Sequence, residues 1–216
     1  LGALLFSKDR PLLAGLLFAL LTVKPQYGLL APVFLIARGE WRTIFTAAGF
    51  TVLLAALSAI AFGLAPWQAF LSTAYETYAA HGARLHHDML TVSQAAGKLG
   101  APNFLRQGFQ ITAVAACMGA TYIAARRLPQ DTAIGLTLLL TAFAAPSFWV
   151  YDWFLVIAGL YMLARSTAPW PQSVQLAAIF AWAAPLISLG STHPLDRKST
   201  RLNSSHVSEY RMPSSA

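Results

Sequence analysis

Residues 43–64 read TIFTAAGFTVLLAALSAIAFGL, a stretch with no charged side chain. As a helix rising 1.5 Å per residue it spans about 33 Å, the thickness of a bilayer's hydrocarbon core. Working outward, further apolar runs lie at 11–23, 26–37, 108–125, 132–145, 148–164 and 172–190, each bounded by charge, glycine or proline. Repeated runs of this kind describe an all-α, polytopic transmembrane helical bundle. The two runs before 43–64 are about a dozen residues each, or about 20 Å, too short for a simple crossing. They meet at Val23-Lys24-Pro25-Gln26-Tyr27-Gly28, which sets a charge and a helix breaker at or below the level of the head groups.

Composition agrees. Of 216 residues, 56% are hydrophobic and 11% charged, against about 25% charged in a soluble domain. Such a chain cannot clothe a water-facing surface, and its 6 Trp, 7 Tyr and 13 Phe exclude disorder. The single cysteine, Cys117, lies in an apolar run and allows no intrachain disulfide. The net charge of +7 resembles a nucleic-acid signal, but the basic residues sit in the connections between helices, where they report orientation, and no nucleic-acid partner is expected. Lys8, Arg10, Arg38, Arg42, Arg126, Arg127 and Arg165 fall in one set of short loops, and Lys24, Arg84, Lys98 and Arg106 in the opposite set. The first set is expected to face the cytoplasm, which makes this a multi-pass protein of the inner (plasma) membrane whose 24–28 and 65–107 segments face outward.

The long outer segment 65–107 carries its own pattern. Trp67, Phe70, Leu71, Ala74, Tyr75 and Tyr78 recur with helical spacing, opposite Gln68, Ser72, Glu76 and Thr77. This predicts an amphipathic helix lying in the membrane interface. A second short helix is expected from Asp88, as N-cap, to Gly100. At the ends, Leu1–Phe6 (LGALLF) reads as the close of an apolar helix, so the gene is expected to be truncated at its 5′ side. The last 21 residues turn abruptly polar, and Asp196–His206 (DRKSTRLNSSH) resembles the translation of a short-read sequencing adapter. The expected organisation is a membrane-embedded helical domain over 1–195 and a disordered, non-native tail over 196–216.

Three places could carry chemistry. Lys24 is costly in a membrane and is either a snorkelling anchor or a group that holds a phosphate. Asp152, in Pro146-Ser147-Phe148-Trp149-Val150-Tyr151-Asp152-Trp153, opens a helix and is either an N-cap or part of a site. The cluster His81, Arg84, His86, His87 and Asp88 suits a solvated loop or one that touches a lipid phosphate or a substrate head group. His86 and His87 point apart on a helix and no second pair follows at ligand spacing, so no metal is expected. Gly-rich phosphate loops, GxSxG and HExxH are absent from the sequence.

The string LLAGLLFALLTVKPQYGLLAPVFLIARGEWR (12–42) resembles the KPQ hairpin of glycosyltransferase family 87. GLAPWQAFLSTAYETY (63–78) is similar to that family's interfacial helix, and AFAAPSFWVYDWFLVIAGLYMLA (142–164) to its Pro-Ser-aromatic segment. Mannosyltransferase relatives often carry His-His where this chain has Tyr151-Asp152. The resemblance implies a C-terminal fragment of a C-type glycosyltransferase fold. It also implies inverting transfer of a hexose, mannose-like, from a polyprenyl-phosphate donor to an extracytoplasmic glycan or glycolipid acceptor, with no cofactor. Lys24 would stabilise the departing phosphate, and Gln26, Tyr151, Asp152, Arg84, His86 and His87 would line the substrate site. The family's general base lies in a first outer loop, expected N-terminal to residue 1. The competing readings are a transporter or flippase for a lipid-linked anion and a non-catalytic membrane subunit.

Overall fold

The structure is a computed structural model and describes residues 1–73 and 89–166. The chain divides into two units, Leu1–Trp182 and Ala183–Ala216. All described residues belong to the first. Arg84, His86 and His87, the seventh apolar run and the tail 196–216 lie outside them.

Among the described residues the structure is all-helical. In chain order the helices are α1 Gly2–Leu5, α2 Pro11–Leu20, α3 Ala31–Arg38, α4 Trp41–Phe62, α5 over 65–73, α6 Val92–Lys98, α7 Asn103–Arg127, α8 Gln130–Ala144 and α9 Phe154–Ser166. The decisive apolar stretch thus forms one helix, α4, with Gly63 closing it at φ 77°. Two helices, α4 and α7, are long and apolar enough to cross a membrane. Along α4 only Thr43 is buried, while Phe45, Val52, Ile60 and Phe62 stand 68–82% exposed. A row of large apolar side chains on the outside of a 22-residue helix needs an apolar solvent, and the bilayer supplies it.

Prolines and glycines place the breaks. Pro11 starts α2, and Pro32 sits in the first turn of α3, so the run expected over 26–37 divides into a 3₁₀ turn, Pro25–Gly28, and α3. Gly39 ends α3 in the left-handed conformation, φ 70°. The run expected over 148–164 likewise divides into a 3₁₀ turn, Val150–Trp153, and α9. In the outer segment α5 is helical from residue 65, as its pattern predicts. The cap of α6 is Thr91 rather than Asp88: its hydroxyl accepts from the Gln94 N–H at 3.2 Å.

Small residues let the helices approach. The carbonyl oxygens of Gly135 and Gly159 each lie 2.9 Å from where a Cβ on the other would stand, which locks α8 against α9. A Cβ at Gly15 would meet the Ala47 backbone nitrogen at 2.8 Å, so α2 lies directly on α4. The Thr46 hydroxyl donates to the Pro11 carbonyl at 2.8 Å and the Thr43 hydroxyl to that of Ser7, so α2 and α4 start at the same end. Arg126 donates to the Ala37 carbonyl at 3.4 Å, and Arg165 pairs with Asp131 at 3.3 Å. These contacts bring the ends of α3, α7 and α9 and the start of α8 to that same end, with Phe34, Ile134, Leu138, Leu155 and Met162 in the core between.

Helix length then sets depth. From the shared end, α2 with its 3₁₀ extension (Pro11–Val23) rises about 20 Å and α8 about 22 Å, whereas α4 rises about 33 Å. The tips of two short hairpins, α2–α3 and α8–α9, therefore stop about 10 Å below the far end of α4. Their two 3₁₀ turns are recessed from the level of that far end.

Candidate functional site

The first tip is built by Pro25. It pushes Lys24 out of the helical region, to φ −136° and ψ 76°, and opens the 3₁₀ turn Pro25–Gly28. Side chains three apart eclipse in such a turn. Lys24 and Tyr27 accordingly share a face, and the Lys24 Nζ donates to Tyr27 Oη at 3.0 Å. The second tip follows Pro146-Ser147. There the Asp152 N–H donates to the Trp149 carbonyl at 2.9 Å, and Asp152 Oδ2 accepts from the Trp149 N–H at 3.0 Å.

The two tips meet across 128 residues of sequence, where Lys24 Nζ lies 3.1 Å from Asp152 Oδ1. Tyr27 Oη donates to the same oxygen. The Asp152 side chain is fully buried and that of Lys24 is 41% exposed. A buried carboxylate needs compensation at each oxygen. Asp152 has it: Oδ2 takes a backbone N–H, and Oδ1 takes an ammonium and a hydroxyl. It is thus a cap and a site residue at once, through different oxygens. The Lys24 Nζ also lies 4.5 Å from the centroid of the Tyr151 ring and 5.1 Å from that of Tyr27. Tyr151 is 65% exposed and stacks on Trp149 with ring planes 5° apart. The Tyr27 ring is held edge-on by Phe154, at 5.3 Å and 88°.

The cluster pairs opposite charges at one point: the Lys24 ammonium faces the Asp152 carboxylate, and the Tyr27 hydroxyl bridges them, accepting from the one and donating to the other.

A cavity of about 270 Å³ opens beside Lys24 and Tyr27. Phe18, Leu21, Leu138 and Phe154 supply apolar wall. Thr137 and Thr141 also line it, but their hydroxyls donate to the carbonyls of Ala133 and Thr137 at 2.7 Å, which removes their polarity from the cavity. A cation at one end of an apolar cavity matches an amphiphile with an anionic head.

Of the residues singled out by sequence, Lys24, Tyr151 and Asp152 come together. Gln26 shares the first turn and is half-buried, but among the described residues its amide makes no hydrogen bond to the cluster. Arg84, His86 and His87 lie outside the described residues. Sequence reasoning missed Tyr27 and Trp149. It also missed how the segment after the outer loop is tied to the second tip. The Leu90 N–H donates to the Phe148 carbonyl at 2.8 Å. Gln110 accepts from the Ser93 N–H at 3.1 Å and donates to the Ala144 carbonyl at 2.9 Å.

No curated protein and no solved structure gives a significant match. The family model of glycosyltransferase family 87 matches residues 1–146, a stretch that holds Lys24, Tyr27 and most of the cavity wall and stops just before the Ser147–Trp153 turn. That match covers more than half of the chain, which therefore belongs to glycosyltransferase family 87, a family of membrane glycosyltransferases.

Proposed function

We propose that this chain moves a hexose, mannose-like, from a polyprenyl-phosphate donor to a glycan or glycolipid acceptor on the outer side of the inner (plasma) membrane. One observation carries the reading: an ammonium, recessed by two short hairpins, stands at one end of a mainly apolar cavity. A lipid-linked phosphate joins the same two chemistries in one molecule. When the glycosidic bond breaks, charge builds on the departing phosphate oxygen, and a preorganised cation that stabilises it lowers the barrier. Lys24 holds that position. Tyr151, exposed beside it, offers a ring face toward the sugar, and Gln26 and the loop residues Arg84, His86 and His87 would complete the pocket. Asp152, with both oxygens engaged, is poorly placed to take the acceptor's proton.

Orientation supports the same side. Lys24 and Asp152 lie at the opposite end of the short hairpins from Lys8, Arg10, Arg38, Arg42, Arg126, Arg127 and Arg165, and the positive-inside rule assigns that basic end to the cytoplasm.

A polyprenyl-phosphate analogue bearing a photoreactive group near its phosphate tests the reading. In membranes containing the chain it should label peptides from α2, α8 or α9, and excess polyprenyl-phosphate mannose should compete. Labelling that is absent, or equal in Lys24→Met, would refute the site. Specific labelling without any sugar transfer would favour a transporter or a non-catalytic subunit.

A further inference from the structure

The Lys24 site is not a bare cation. Its ammonium is already faced by a fully buried carboxylate at 3.1 Å, so the pair is close to electrically neutral before any ligand arrives. The carboxylate does not use up the lysine, however. Among the described residues, two of the three ammonium N–H groups have partners, Tyr27 Oη and Asp152 Oδ1. The side chain is 41% exposed, so a ligand oxygen can take the third N–H while Asp152 stays in place. Asp152 is itself held there by the Trp149 N–H and the Tyr27 hydroxyl. It is a fixed part of the site, not a mobile plug.

We infer that Asp152 is a built-in counter-ion that weakens the preference of the Lys24 site for a doubly charged phosphomonoester over a singly charged phosphodiester. The inference rests on the proposed phosphate site and goes further, since it concerns which phosphate. A sugar-bearing lipid phosphate is a diester with one negative charge. The lipid phosphate left after transfer is a monoester, carrying nearly two charges above its second pKa of about 6. A lone ammonium would hold the spent carrier more tightly than the loaded one. A fixed carboxylate beyond the ammonium offsets part of that extra attraction, so the loaded carrier competes better for the site and the spent one leaves more readily.

The size of the effect follows from distance. A phosphate on the far side of Nζ lies about 6 Å from Asp152. There, each ligand charge is repelled by about threefold in affinity with water-like screening and by about a hundredfold at an effective dielectric of 20. For a half-exposed site, about tenfold per charge is the expected scale.

The test uses the purified chain in dodecyl maltoside micelles at pH 8, with decyl methyl phosphate as the diester and decyl phosphate as the monoester, read by calorimetry. Wild type should prefer the monoester by about tenfold or less. Asp152→Asn should shift the ratio about tenfold further toward the monoester. Where the asparagine protein fails size exclusion, Asp152→Ser, which still offers the Trp149 N–H an acceptor, takes its place. A ratio unchanged on removing Asp152, or one that shifts toward the diester, overturns the inference while leaving the phosphate site intact. Failure of wild type to bind either probe, or equal binding by Lys24→Met, refutes the phosphate site itself.

Discussion

Replacing Tyr27 by Phe removes one oxygen from the centre of the cluster and little else. The ring remains, and with it the edge contact to Phe154 at 5.3 Å. What disappears is a hydroxyl that donates to the buried Asp152 and accepts from Lys24 at 3.0 Å. A hydrogen bond to a charged group is worth about 1.5–3 kcal/mol. Here Asp152 keeps the ammonium and the Trp149 N–H, and the half-exposed Lys24 can turn to water, so the lower end applies, about 1.5 kcal/mol. For a unit of this size each kcal/mol moves the melting midpoint by about 2–4 °C. The expected drop is thus about 3–6 °C, read by thermal unfolding of detergent-purified protein. The decisive arm is a double-mutant cycle. In an Asp152→Asn background the Tyr27 hydroxyl has lost its charged acceptor, and Tyr27→Phe should then cost less than half as much. An equal drop in both backgrounds, or no drop in wild type, would refute the claim that Tyr27 acts through Asp152.

Lys24→Met should lower sugar transfer by about 10²–10³-fold, the scale for one preorganised charge-stabilising donor, with Lys24→Arg recovering part of it; an active Met variant would reduce Lys24 to an anchor. Gly159→Ala should destabilise by about 1–3 kcal/mol in thermal unfolding, because its Cβ would stand 2.9 Å from the Gly135 carbonyl oxygen, whereas Gly119→Ala, with open space around it, should be neutral or slightly stabilising. In a Cys117→Ala background, a cysteine at Arg127 should be labelled only from the cytoplasm and one at Leu99 only from outside.

Much of this was legible in the sequence because it is local. An uncharged stretch of bilayer length is a helix wherever it folds, so 43–64 differs from Trp41–Phe62 only at its ends. The breaks at Lys24 and before Asp152 were visible for the same reason, since proline acts on its own neighbours. Lys24 and Asp152 each stood out as a charge in apolar surroundings. Their meeting did not, because no periodicity records which hairpin tips share a depth. Tyr27 could have been found: a hydroxyl-bearing residue three positions after a buried-side lysine, on a turn opened by proline, shares its face. It passed instead for a turn aromatic. The cap at Thr91 was missed because Asp88 is the stronger capping type, and only the tie from Leu90 to Phe148 fixes where the helix can start.

The 128 residues between Lys24 and Asp152 also measure a delay in biosynthesis. At about 5–20 residues per second, a ribosome makes the lysine about 6–26 s before its carboxylate exists. Through that interval the α2–α3 hairpin carries an unpaired ammonium, which favours staying near water over settling into lipid. The first hairpin is therefore expected to reach its final depth only after α8 and α9 have arrived. Assembly of this bundle should end with a hairpin that is synthesised before the helices it waits for.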